Sequence, residues 1–273
     1  QADTLELMED VLSNGRAGLL DLDLNQTLKV QRASGGTELL HDHGGFLLMG
    51  TPKQGQSLDE VKELLLSEID KLKKGDFPDN LLPSIINNKK RQYYQQLESN
   101  DARADQFVGA FIDETDWSQH VGQIDRISRI TKQEITDFAN KFFTDGYVTV
   151  YKRQGIDSTQ KKIDKPAITP IQANRDQKSA FVKEIQELQV EPIQPVFVDY
   201  KKDLTVSETK NKLPLLYKKN TGDELFNLVF HYEFGHEDDN RYDIASNYLD
   251  YVGTDKLSAM EIKQQFYKLA CNY

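Results

Sequence analysis

The chain has 273 residues, 38% hydrophobic, 29% charged and 10% aromatic, which reads as one large folded domain or about two smaller ones rather than a disordered chain. Its 34 Lys and Arg against 44 Asp and Glu give a net charge of −10. That balance argues against nucleic acid or an anionic membrane as partner, because phosphate binding needs clustered positive charge. No apolar run is long enough for a membrane-spanning helix, and the single Cys271 excludes an internal disulfide and a multi-thiolate zinc site.

The opening Gln1-Ala2-Asp3 lacks a basic-then-apolar leader, so the expectation is a chain whose leader was removed or an internal piece of a longer protein. Residues 4–13 predict a short amphipathic helix with Leu5, Met8 and Val11 or Leu12 on one side. Leu20, Leu22 and Leu24 then alternate with Asp21 and Asp23, the period of a half-buried strand. A turn at Asn25-Gln26 leads into residues 27–33, and Gly44-Gly45 precedes the apolar run 46–49. Four helices are expected next. The first starts at the capping box Ser57-x-x-Glu60 and stops at Gly75 after Lys73-Lys74. A second follows Asp79 with Leu82, Ile86, Tyr93 and Leu97 inward. A third carries Phe107, Val108, Phe111 and Ile112, and a fourth begins at Thr131-x-x-Glu134. Residues 147–152 alternate again and predict a closing strand.

These elements predict an α+β fold, an antiparallel sheet with helices layered on one face, over residues 1–155. Half of the eight prolines, Pro166, Pro170, Pro192 and Pro195, mark residues 156–195 as a stiff linker containing one helix at about residues 176–188. Strands expected from residue 195, at 213–217 and at 225–234, the last two forming a hairpin around Asn220-Thr221-Gly222, and two further helices make 196–273 the truncated start of a second module.

Few residues suggest chemistry. His231 and Glu233 share one face of the expected strand, with Phe226, Leu228, Phe230, Tyr232 and Phe234 on the other. With His236 they are the best candidate metal ligands, against a surface pair as the plainer reading. His41-Asp42-His43 could bridge a surface ion but reads more simply as loop histidines, and His120 stands alone. There is no nucleophile elbow, no phosphate-binding glycine loop and no histidine partner for Cys271, which fits a small core-facing residue. No catalytic residue is assigned.

Phe230-x-x-Glu-Phe-Gly-His-Glu-Asp-Asp, a helix, and then Tyr248-Leu249-Asp250-Tyr251-Val252-Gly253-Thr254 resemble the pitrilysin/insulinase family of zinc peptidases. In that family a helix carries H-x-x-E-H shortly before a Gly-Thr pair, with two imidazoles on zinc and the glutamate as general base. Here the motif falls on Asn247-Tyr248-Leu249-Asp250-Tyr251, so Asn247 and Tyr251 replace the histidines and Asp250 stands where the base would be. The resemblance extends to Leu12-Ser13-Asn14 through Gly18-Leu19, Gly45-Phe46, residues 58–75, Leu97-Glu98-x-Asn100 with Arg103-Ala104, Trp117, and Asp125-x-Ile127 through Ile130-Thr131, which resemble the family's metal-free partner domain.

The resemblance implies a non-catalytic segment of a zinc metallopeptidase, inactive alone, that helps to enclose polypeptide substrates and packs the two halves of the enzyme together. It implies no cofactor in this chain and zinc in the catalytic domain of the parent protein. The partners implied are a polypeptide substrate and other domains of the same protein, with no nucleic acid and no membrane span. A second copy could pair through the truncated module, whose edge strands are open. Family members occur in the bacterial envelope and in organelles, which points to the periplasm or cell envelope. The alternative is a non-enzymatic assembly subunit on the same fold.

Overall fold

A computed structural model describes residues 1–40, 43–156, 159, 164–171 and 173–272. Its contacts divide the chain into two units, one of Gln1–Tyr151 with Leu225–Tyr273 and one of Lys152–Glu224.

In the first unit, helix α1 (Ala2–Leu12) buries Leu5, Leu7, Met8, Val11 and Leu12. Residues 20–24, expected as a strand, instead enter a π-helical turn, Asp21–Gln26. Leu20 and Leu24 lie four positions apart and are both fully buried, so a leucine spacing that fits a strand also serves a helical turn. The polar partners decide between them. The Asp21 carboxylate accepts the backbone N–H groups of Asn14 (2.8 Å) and Gly18 (3.1 Å), satisfying the donors of the turn before it. The Asn25 amide then brackets Ala33, donating to its carbonyl at 2.8 Å and accepting from its N–H at 2.6 Å.

Strands β1 (Arg32–Leu39) and β2 (Gly44–Thr51) form an antiparallel hairpin in which Ala33 faces Gly50 and Thr37 faces Phe46. Phe46 and Leu48 pack on the core, while Leu47 and Met49 are exposed. A side chain at Gly50 would begin 2.4 Å from Val61, so its bare Cα lets helix α2 lie directly against β2.

The four expected helices form. Helix α2 (Leu58–Lys74) is capped by the Ser57 hydroxyl, which accepts from Glu60 N–H at 3.1 Å, and stops at Gly75 in the left-handed region. Its buried face is Val61, Leu65, Glu68 and Leu72. Helix α3 (Leu81–Leu97) buries Leu81, Leu82, Ile85 and Ile86 and leaves Tyr93 and Leu97 at the margin. Helix α4 (Asn100–Ile112) buries only Ala110. Its expected inward residues, Phe107, Val108, Phe111 and Ile112, are exposed. Two short helices follow, α5 (Trp117–Val121) and α6 (Gln123–Ile127), and then α7 (Lys132–Phe142), which starts in the full capping box of Thr131 and Glu134. Residues 147–152 form no ladder, although the Tyr151 hydroxyl donates to Asp59 at 2.6 Å.

Residues 225–234 form no strand either. Helix α9 (Arg241–Tyr248) passes into a 3-10 turn, Leu249–Tyr251, and helix α10 (Ala259–Lys268), with a second capping box at Ser258 and Glu261, packs on α3. The Asn88 amide of α3 donates to the Tyr267 carbonyl at 2.7 Å, and the Tyr267 ring is buried.

The second unit holds helix α8 (Ala180–Glu187), capped by Ser179, and a short antiparallel pair of β3 (Thr205–Glu208) and β4 (Pro214–Tyr217). The expected strand at 213–217 therefore exists in part, but it pairs upstream rather than with 225–234 around Asn220-Thr221-Gly222. Residues 195–200 add no strand. The short link at residues 209–213 costs little closure entropy, and Lys212 at φ 62° makes the reversal. Among the described residues the elements are mostly helices, with one two-stranded antiparallel sheet in each unit, a content compatible with an α+β class.

Candidate functional site

The residues that the resemblance sets at the zinc-motif position, Asn247, Asp250 and Tyr251, lie across a helix end. Asn247 lies in the last turn of α9, whereas Asp250 and Tyr251 belong to the 3-10 turn after it. The three side chains therefore do not share one continuous α-helical face. No residue of α9 is buried, and Tyr251 receives the Lys263 ammonium over its ring at 5.6 Å. A carboxamide, a carboxylate and a phenol at these positions do not reproduce two neutral imidazoles, so the donor set does not fit the family's zinc.

The other candidate ligands stand apart. His231 and Glu233 are exposed on a segment without regular structure. His236 turns to the following helix, where its Nδ1 lies 2.6 Å from Asp243. Among the described residues, no three His, Cys, Asp or Glu side chains converge as a metal site. His41 and Asp42 lie outside the described residues, and His43 is exposed, its carbonyl accepting from Leu40 N–H at 2.9 Å. His120 stacks on Trp117 at 5.3 Å between ring centroids. Cys271 is half-buried and carries a free thiol.

A cavity of about 350 Å³ opens elsewhere, lined by Glu6, Glu9 and Asp10 of α1, Thr37 and Leu39 of β1, and Lys89 of α3. The Lys89 ammonium lies 2.8 Å from Asp10, and Glu9 accepts the Thr37 N–H at 2.9 Å as well as its hydroxyl. Burial raises the Asp10 carboxyl above its ordinary range despite the opposing Lys89 charge, and it raises Glu6 in the same way. Burial also works against the Lys89 ammonium, but Asp10 and Glu6 hold its pKa above the usual lysine value. Three carboxylates against one ammonium make a lining that attracts cations and repels anions. Asp3, Glu6 and Asp10 at helical spacing were a visible sign of an acidic face on α1, but nothing in sequence tied that face to Lys89.

No family model matches the chain, and no curated protein matches it. Among solved structures, a protease from Helicobacter pylori is similar over 52% of this chain and 35% of that one, with a TM-score of 0.50 and 20% identity. The likeness is one of fold. The chain spans about a third of that protease's length, and what the two share is a protease-like fold. Among the described residues, no helix is long and apolar enough to cross a membrane.

Proposed function

We propose that this chain is a non-catalytic segment of a pitrilysin/insulinase-type zinc protease, helping to enclose polypeptide substrates and to pack the halves of the enzyme together. The observation that carries the reading is the fold likeness to a protease combined with Asn247, Asp250 and Tyr251 at the motif position. A fold like that of a protease, with Asn247 and Tyr251 where the resemblance places the two histidines, suits a chamber wall. Under this reading residues 1–155 are the metal-free partner domain, 156–195 the linker and 196–273 the start of a degenerate second domain. The packing of α10 on α3 is then the contact by which that second domain docks on the first. No residue here binds zinc or reacts with substrate. On this reading zinc would be held by another domain of the parent protein, where it would supply Lewis-acid chemistry for peptide hydrolysis.

The test is hydrolysis of a quenched fluorescent peptide by the purified chain with added zinc. The expected result is no turnover. Turnover that a chelator abolishes and that His231→Ala removes would overturn the reading. The runner-up, a non-enzymatic assembly subunit, rests on the same residues. A gene encoding H-x-x-E-H outside residues 1–273 favours the protease, and a gene without it favours the subunit.

A further inference from the structure

Helix α4 and its neighbour α5 carry an apolar surface that the core does not use. Phe107, Val108, Phe111 and Ile112 recur at helical spacing and form one stripe, all more than half exposed, with Phe111 at 84%. The Phe107 ring stacks on Trp117 at 4.4 Å between centroids with 21° between planes, and His120 stacks on the same indole, at 15°. Trp117 keeps 40% of its surface exposed and Val121 extends the stripe. Together Phe107, Val108, Phe111, Ile112, Trp117 and Val121 expose on the order of 600 Å² of largely apolar surface, at the upper end of what a monomer's largest patch shows. The charges beside the stripe are mostly acidic. Asp101, Asp105, Asp113, Glu114 and Asp116 are all exposed, against Arg103 and against Arg126, which bonds the Gln119 carbonyl and pairs with Asp3.

We propose that this stripe docks a polypeptide segment whose apolar side chains are flanked by lysine or arginine. The charge pattern selects the occupant. A second copy of this chain at the same patch would bring carboxylates onto carboxylates, and anionic lipid or nucleic acid would meet the same repulsion. A basic amphipathic segment buries its apolar face on Phe107, Phe111 and Trp117 while its cations answer the acidic neighbours. The inference rests on the proposed role in handling polypeptides, and it names the chemistry of the segment that is held.

Trp117 is the chain's only tryptophan, so its emission reports this patch alone. The experiment titrates the whole chain with a synthetic amphipathic leucine–lysine peptide, and in parallel with its leucine–glutamate counterpart, while following that emission. The expected result is a saturable blue shift with the lysine peptide, weakened several-fold by raising the salt from about 0.05 M to about 0.5 M. Phe111→Ser should weaken binding about tenfold, and since Phe111 makes little contact with the core, folding is expected to survive, as circular dichroism would verify. No shift with the lysine peptide overturns the proposal, as does equal binding of the glutamate peptide. So does a shift produced by neutral phosphatidylcholine vesicles, or one that appears on concentrating the chain alone. Because no cleavage is read, a negative result here leaves the protease reading standing, and turnover by the isolated chain leaves this inference standing.

Discussion

Helix α10 is anchored on α3 through Asn88 and the buried Tyr267, with Arg16 and Lys263 adding bonds at its margins, and losing the Tyr267 side chain should loosen that helix while the remaining core stays folded. The Asn88 amide donates to the carbonyls of Tyr267 (2.7 Å) and Ser84 (2.9 Å), and the Tyr267 ring sits buried in the core. Burial, and then the charges of Asp10 and Asp21, push the Tyr267 phenol well above its ordinary range, so it stays neutral at any working pH. Asn88→Ala removes one interhelical hydrogen bond, about 1–1.5 kcal/mol, and regains about 0.5 kcal/mol of helix propensity. The net loss of about 1 kcal/mol corresponds to roughly fivefold faster opening of α10. Tyr267→Ala also loses the ring's burial, about 3–5 kcal/mol, and should leave α10 largely undocked. Hydrogen exchange read by mass spectrometry separates the amides of α10 from those of α1, whose Leu7, Met8, Val11 and Leu12 are fully buried. The expected pattern is lost protection in α10 with α1 protection retained. Unchanged exchange of α10 in Tyr267→Ala would refute the argument that this side chain holds it.

Further outcomes follow from single side chains. Burial raises the carboxyl pKa values of Glu6, Asp10, Asp21 and Glu68, so the folded chain binds these protons more tightly than the unfolded one. Their contribution is fully present below the ordinary values of 3.8 to 4.5 and is lost as pH rises through the raised ones, so the melting temperature should be higher near pH 5 than near pH 7.5. Asp10→Asn should flatten that slope. Thr131→Ala removes the hydroxyl that accepts the Glu134 N–H at 3.2 Å in the capping box of α7, and should cost about 1 kcal/mol in urea unfolding. Equilibration with zinc should leave the melting temperature of the chain and of His231→Ala alike, as calorimetry would measure. Sedimentation velocity should show concentration-dependent pairing that Phe230→Asp suppresses, because that side chain lies at the centre of the exposed apolar series 226–234.

The helices were legible because their ends carry their own chemistry. Ser57 and Thr131 cap α2 and α7 as their spacing to Glu60 and Glu134 predicts, and Gly75 stops α2 in the left-handed region. Those signals are local, and local hydrogen bonds satisfy them. The strands were less legible because an alternating pattern states which face is apolar and not whether a neighbour exists to receive the ladder. At residues 20–24 the same leucine spacing served a helical turn once Asp21 found the donors of Asn14 and Gly18. The candidate ligands share this weakness. His231-x-Glu233 would align on a strand, but without a strand nothing fixes their common direction, and His236 pairs with Asp243 through a helix whose position the spacing does not specify.

Residues 226–234 bring the point to its physical consequence. Phe226, Leu228, Phe230, Tyr232 and Phe234 keep the period of a strand with one apolar face, yet all five are exposed. Among the described residues, no backbone hydrogen bond joins this stretch to another segment. Exposed aromatics at every second position gain nothing from water, so the pattern makes sense only beside a strand that supplies the missing ladder. An antiparallel partner of identical sequence, centred on Phe230, would set Phe226 against Phe234 and Leu228 against Tyr232 on the apolar face. On the other face it would set Asn227 against Glu233 and Val229 against His231. That register places no two like charges opposite each other, and it meets the requirement for self-complementarity across a two-fold axis. A strand from a different polypeptide segment would satisfy the same donors and acceptors, and it would need an alternating apolar face of its own. With either partner the stretch would gain a ladder, and His231 and Glu233 would then share a defined direction.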